Sequence, residues 1–300
     1  MRLRKIPIDF LWEGLELSGD IYNDRGSVLL LKRGEVLTQD RLDKLSKFER
    51  GGYITTSEET YQEILNSGKA PRAALQRVYE EAVGYTALKN DVDSIFSVTR
   101  NASEINMEAT ETVTKDIFTK IKVLDFPKIF QCIDAPREMD ENLQRHSLNV
   151  AFTNGVIGQW LKLPEPVIKK LVCAGLVHDI GKTKELSLFP QNDYTDDGQL
   201  LGHIMIGAEM VHDAAQKIEG FPMELENQLK HCILAHHGEL EYGSPKKPAM
   251  VEAVALNLAD NADAKMETLT ELFDAAPAGN EWIGYNRFFE SNIRRTGDFS

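Results

Sequence analysis

Leu171-Val172-Cys173-Ala174-Gly175-Leu176-Val177-His178-Asp179-Ile180-Gly181-Lys182 is the stretch on which the reading of this chain turns. Val167, Ile168, Leu171, Val172 and Leu176 recur at helical spacing, so the segment 165–178 is a helix with one buried face. His178 and Asp179 therefore close a helix anchored in the core and lead into a polar loop. That is the rigid support a metal site needs. A His beside an Asp offers one imidazole nitrogen and one carboxylate, the pair that hard or borderline divalent ions accept where no thiolate is present. An HD dipeptide alone is also a common surface feature, and its neighbours decide between the two readings.

Five of the seven histidines fall into a pattern with it: His146, His178, His203 and the pair His236-His237, followed by Asp260, each on an apolar, helix-like stretch. His146 shares a helical face with Val150 and Ile157, and His203 with Gly207 and Met210, so both can point inward. Gly207, one turn beyond His203, leaves room for a metal or a phosphate to approach. His236 and His237 diverge by about a third of a turn and can serve different ions, or one ion and a substrate. Asp260 is a carboxylate inside an apolar helix, which requires a cation or a full set of hydrogen bonds. His212 and His231 lack such support and read as surface or structural residues.

Composition bounds the rest. With 300 residues, 42% hydrophobic and 27% charged, the chain can bury a substantial core in one large and one small domain. No stretch is long enough to span a bilayer, so no membrane partner is expected. The opening Met-Arg-Leu-Arg-Lys-Ile-Pro-Ile-Asp lacks the apolar run of a signal peptide, and the expected location is cytoplasmic. Cys132, Cys173 and Cys232 show no C-x-x-C spacing and read as buried, inert thiols. The 34 Lys and Arg against 47 Asp and Glu give a net charge of -13. Such a surface repels polyphosphate and argues against broad nucleic-acid binding, while a local pocket can still hold a small anionic ligand.

Three parts follow along the chain: a small β-rich module over 1–62, a helical connector over 63–135 and a nearly all-helical region over 136–300. In the first, Asp20–Tyr22 and Ser27–Leu31 flank the turn residues Asn23-Asp24-Arg25-Gly26 as a hairpin. Thr38 can cap a short helix carrying Leu42, Leu45 and Phe48, and Tyr53–Thr56 returns as a strand. In the second, Pro71 can open a helix with Leu75, Val78, Tyr79, Ala82 and Val83 on one face. A second helix over Ala102–Val123 has Ile105, Ala109, Val113, Ile117 and Ile121 to pack on the catalytic region or, as the other option, to form a homodimer. In the third, helices are expected over 140–161, 165–178, 200–217, 223–236 and 249–270. The fold class is mainly α, a helical bundle with a small N-terminal α+β module.

His146-Ser147-Leu148-Asn149-Val150-Ala151, His178-Asp179-Ile180-Gly181-Lys182, Gly202-His203, His236-His237 and Leu258-Ala259-Asp260 together resemble the HD superfamily of metal-dependent phosphohydrolases. Residues 136–182 are most similar to the HD-GYP cyclic-dinucleotide phosphodiesterases, and Gly14-Leu15-Glu16-Leu17 through Leu37-Thr38 resembles the small domain that precedes some of them. HD-GYP proteins usually carry a Glu directly after the paired histidines and then Gly-Tyr-Pro. Here the text is His236-His237-Gly238-Glu239-Leu240-Glu241-Tyr242-Gly243-Ser244-Pro245. That segment, with Glu252-Ala253, Asp260-Asn261-Ala262-Asp263-Ala264-Lys265-Met266 and Glu281-Trp282 followed by Tyr285-Asn286-Arg287, is more similar to the OB-plus-HD 3'-to-5' exoribonucleases of Gram-positive bacteria. Those enzymes grip single strands with an N-terminal OB domain, and the first module here lacks its basic, aromatic strands.

The resemblance implies a two-metal phosphodiesterase. His146, His178, Asp179 and Asp260 would hold one divalent ion, and Asp179 would bridge to a second held by His203, His236 and His237. A hydroxide between the ions would attack phosphorus. Asp179 and Lys182 are then the catalytic residues, Lys182 with its ammonium on the phosphate, and Lys182, Tyr242 and Arg287 are candidate substrate contacts. Fe, Mn, Ni or Zn would suit the donors. Some HD-GYP proteins add a third ion through a Glu ahead of the first His; Glu141 is nearby, but Asn142 and Gln144 fill the intervening polar positions, which favours two ions. The first functional expectation is hydrolysis of a small nucleotide, a cyclic dinucleotide such as cyclic di-GMP. The alternatives are a 3'-to-5' exoribonuclease or small-oligonucleotide hydrolase, and a nucleotide sensor without turnover.

Overall fold

A computed structural model describes residues 3–49, 52–67, 84–123, 142–187, 193–277 and 281–295, divided between a unit within Met1–Ala82 and a unit within Val83–Arg295. The helix expected from Pro71 onward, Cys132 and Glu141 lie outside the described residues.

In the first unit β1 (Leu3–Pro7), β2 (Ile21–Asn23), β3 (Leu29–Leu31) and β4 (Tyr53–Ser57) form one antiparallel sheet in the order β1-β4-β2-β3. The expected hairpin is present because Asn23 Oδ1 accepts the amides of Ser27 and Val28 at 2.8 and 2.9 Å, while Gly26 takes φ 70°. Thr38 caps α1 (Gln39–Phe48) by accepting from the Arg41 amide. Leu45 is buried, but Phe48, expected on the same face, is 64% exposed. A second helix, α2 (Glu58–Asn66), follows β4 directly, with Ser57 as its cap. Ile6, Phe10, Leu17, Ile21, Leu37 and Ile54 are the fully covered core of this unit.

The second unit is a helical bundle. Among the described residues its helices are α3 (Tyr85–Ala102), α4 (Met107–Val123), α5 (Asn142–Trp160), α6 (Glu165–Val177), α7 (Lys182–Glu185), α8 (Asp196–Leu200), α9 (Gly202–Gln216), α10 (Met223–Ala235) and α11 (Val251–Ala275). The helix expected over 102–123 starts only at Met107, because a helix that was not expected, α3, runs to Ala102 and ends where Ser103 turns left-handed at φ 57°. The apolar positions Val113, Ile117 and Ile121 of α4 are buried against α5 and α6, so this face packs intramolecularly. One region expected to be helical is not: Trp282–Asn286 (β5) and Ser291–Arg294 (β6) pair as an antiparallel hairpin. Among the described residues, no helix is long and apolar enough to cross a membrane.

Two glycines set the close approaches that converge on the HD dipeptide. A Cβ on Gly175 would stand 2.7 Å from the Ala151 Cα, so α6 can lie against α5 only without a side chain there. A Cβ on Gly181 would collide with the His203 carbonyl and stand 2.7 Å from the Gly207 amide, so α9 packs directly onto the turn after Asp179. Gly207 accordingly packs on Gly181 and does not open space for a metal or phosphate. Its own Cβ would meet ordinary contacts at 3.5 Å. Gly181→Ala should therefore destabilise the unit by roughly 1–3 kcal/mol, while Gly207→Ala, relieved of glycine's helical penalty, should be neutral or stabilising. Equal unfolding midpoints for the two variants in denaturant titrations would contradict this packing.

Candidate metal centre

The end of α6 delivers His178 and Asp179 with almost no exposure, 0% and 1%. Around them stand His146 from α5, His203 from the first turn of α9, His236 and His237 from the end of α10, and Asp260 from α11. Asp179 occupies the middle. Its Oδ2 faces the Nε2 atoms of His146 and His178, each at 3.6 Å, and its Oδ1 faces those of His203 and His236 at 3.5 and 3.6 Å. Asp260 Oδ1 lies on the first side, 3.1 Å from His146 Nε2 and 3.8 Å from His178 Nε2. The His203, His236 and His237 rings gather on the other, with centroids 4.3 to 5.6 Å apart.

All five rings are oriented the same way. His146 Nδ1 pairs with Asp263 Oδ2 at 2.7 Å, His178 Nδ1 with the Gly175 carbonyl at 2.8 Å and His203 Nδ1 with Glu185 Oε1 at 3.0 Å. His236 Nδ1 pairs with the Ile233 carbonyl at 2.6 Å and His237 Nδ1 with the Tyr242 carbonyl at 2.8 Å. An oxygen acceptor at Nδ1 keeps the proton there in the neutral ring and turns the Nε2 lone pair inward, the arrangement found around metal ions. Asp179 Oδ1, His203 Nε2 and His236 Nε2 are buried without a hydrogen-bond partner. Buried polar atoms are rarely left so, and three of them aimed at one space fit a cation. Three sets of donors lie close enough for a shared ion: His146, His178 and Asp260; His178, Asp179 and His236; and His203, His236 and His237.

The electrostatics agree. Burial opposes charge on His146, but its bonds to Asp260 and Asp263 and the nearby Asp179 outweigh that and raise its pKa to about 10. Surroundings that hold a proton so firmly also favour a metal cation, which would displace it. Burial lowers His178 to about 4 and pulls His203 and His237 down as well, leaving neutral donors. Burial works to raise Asp179 and Asp260, but the cations and imidazoles around them prevail: Asp179 lies well below the usual carboxylate range and Asp260 falls to about 2.

Lys182, expected to meet a phosphate, is salt-bridged to Asp179 Oδ2 at 2.6 Å. It also lines a cavity of about 770 Å³ with His146, His237, Tyr242 and Asp260. Arg287 is exposed on the hairpin turn and is not part of that lining, whereas its neighbour Phe288 is. His212 pairs with Glu226 at 2.7 Å near the surface and His231 Nε2 accepts the Ala249 amide, both structural roles as expected. Burial raises the Cys173 and Cys232 thiols to about 11 and about 12, so both are inert.

Orienting residues escaped sequence reasoning. Tyr85 Oη donates to Asn149 Oδ1 at 2.6 Å, Asn149 Nδ2 donates to Asp263 Oδ1 at 2.9 Å, and Asp263 holds His146. Asn149 lies three residues after His146 and Asp263 three after Asp260, a helical spacing that was the available signal.

Residues 143–265, which contain every one of these donors, match the family model described as HD domain. Over 112 residues the chain is 42% identical to the 3'-5' exoribonuclease YhaM of Shouchella clausii (strain KSM-K16) and 41% identical to that of Bacillus subtilis (strain 168). Each match covers 37% of this chain and 35% of the relative, so the chain spans about a third of the length of the curated relatives it matches. A solved structure, that of Bd1817, an HDG"Y"P protein from Bdellovibrio bacteriovorus, aligns over 91% of this chain and 94% of that one with a TM-score of 0.43 and 16% identity. At that score it bears on neither fold nor function.

The relatives correct one expectation. A small nucleotide as partner, with broad nucleic-acid binding set aside, does not stand when relatives 41–42% identical over 112 residues are named 3'-5' exoribonucleases. The net charge of -13 describes the whole chain, whereas contact with a strand depends on a few groups at one opening. If Asp263 fixes His146, Asp263→Asn should lower divalent-metal affinity by roughly 10–100-fold with the fold retained, as losses of such orienting partners do. Unchanged affinity in metal titrations of the chelated variant would remove Asp263 from the account.

Proposed function

We propose that this chain hydrolyses phosphodiester bonds of single-stranded RNA from the 3' end with divalent metal ions. The observation that carries the reading is the 42% identity over 112 residues to a 3'-5' exoribonuclease; the His and Asp donors lie within 143–265, the stretch matched by the HD-domain model. His146, His178, Asp179 and Asp260 would hold one ion, and Asp179, His203, His236 and His237 a second, from among Fe, Mn, Ni and Zn. Bound there, such ions would polarise the phosphoryl group and acidify water.

The chain's own residues supply the remainder. Asp179, ionised and centred between the two imidazole groups, supplies one oxygen to each side. Lys182 neutralises it and puts an ammonium at the cavity wall, where a phosphate oxygen can share it. Asp263, Glu185 and three backbone carbonyls keep the rings from turning, so no reorganisation is needed as substrate arrives. Tyr242 lines the cavity as a substrate contact, and Arg287, exposed on the hairpin, can reach a strand only beyond that lining. A cytoplasmic location suits the reading and is supported by the free thiols Cys173 and Cys232.

The metal-loaded chain should shorten a 5'-labelled single-stranded RNA stepwise and release mononucleotides. Cyclic di-GMP, incubated alongside, should survive. Linearised cyclic di-GMP beside intact RNA would reverse the assignment, and nucleotide binding without product under every metal tested would make the chain a sensor.

A further inference from the structure

The cavity that opens on the donors has an aromatic wall as well as a cationic one. Phe288 comes from the β5–β6 turn and Tyr242 from a short 3-10 turn, Leu240–Tyr242, after α10; they are 52% and 64% exposed. Rings so exposed forgo burial that would favour folding. They are nonetheless fixed. The Phe288 amide donates to Asn286 Oδ1 at 2.9 Å and its ring meets Phe289 edge-on at 5.2 Å. Arg295, at the base of the hairpin, donates to the Phe273 carbonyl of α11 and stacks its guanidinium 5.6 Å from the Phe273 ring. The hairpin is thereby tied to the helix that supplies Asp260. Tyr242 is held through its backbone, since its carbonyl orients His237, and its ring is left free for another partner.

We infer that Phe288 and Tyr242 form a base-stacking platform that seats the terminal nucleobases of a single-stranded RNA over the metal centre. This rests on the exoribonuclease reading of the same site and adds how the strand is held. The occupant follows from charge and shape together. A chain of net charge -13 is poorly suited to track a polyanion along many phosphates, and among the described residues the cations lining this cavity are Lys182 and Lys265, with Glu267 and Glu271 beside them. One or two phosphates can be met there; further affinity has to come from a contact that carries no charge. Aromatic faces give that contact to any base, because every base has a π-face, and so degrade a strand without reading its sequence. A duplex end offers no splayed base to such a platform.

The test uses the metal-loaded full chain, oligoadenylate, the same oligomer with abasic 3'-terminal residues, and the variants Phe288→Ala, Phe288→Trp and Tyr242→Ala. Metal content of each variant is measured first, to separate stacking from damage to the site. The alanine variants should keep their metal and raise KM for the RNA on the order of ten-fold each, with Phe288→Trp restoring it. Wild type should handle the abasic oligomer as poorly as Phe288→Ala handles RNA, and the affinity of wild type for RNA should fall with salt at a log–log slope of about one, equivalent to one or two phosphates. RNA degraded by Phe288→Ala with unchanged KM, or a slope of about three or more, would overturn the platform and leave the exoribonuclease reading standing. RNA left intact by wild type would defeat that reading first and the platform with it.

Discussion

Everything at this site depends on one carboxylate buried between two groups of imidazoles. Asp179 has 1% exposure, and each of its oxygens faces a different pair of histidines. An ionised group in that position is costly unless it is compensated. Lys182 compensates part of it from the next turn of chain, and Oδ1 is left without a hydrogen-bond partner. The packing of four helices serves this arrangement. Gly175 lets α6 meet the helix of His146, and Gly181 lets the helix of His203 meet the HD turn. The fold is specified most tightly where the chemistry is.

Orientation is as much a part of the centre as the donors. Each of the five rings gives its Nδ1 to an oxygen, and three of those oxygens are backbone carbonyls that no substitution can remove. The remaining two are the carboxylates of Asp263 and Glu185, the first held in turn by Asn149 and Tyr85. Tyr85 belongs to α3, so a helix that provides no donor contributes to the centre through three hydrogen bonds. That is a reason for α3 to pack within the helical unit.

The donors were legible in the sequence because a His or Asp inside an apolar helical pattern is conspicuous: His178 and Asp179 end one, His146 and Asp260 interrupt two more. The five helices expected beyond residue 136 followed from the same periodicity, their ends placed to within five residues. The helix Tyr85–Ala102 was not expected, and the one expected over 102–123 starts at Met107, since nothing local marks Ser103 as a left-handed residue. The β5–β6 hairpin was missed because its strands are short and mostly exposed, which leaves no alternating pattern. Asp263, Glu185 and Asn149 were hidden for a different reason. An orienting residue is recognised by what it touches, and the partners lie 18 to 117 positions away. Setting nucleic acid aside rested on net charge, which averages over the whole surface and says nothing of a few groups at one opening.

If Asp179 joins two metal positions into one centre, the metal stoichiometry of the chain depends on it. Elemental analysis of anaerobically loaded protein should find two ions per chain in wild type, about one in His237→Ala, which removes a donor from one side only, and none in Asp179→Ala. An Asp179→Ala protein that folds and still retains two ions would contradict the account.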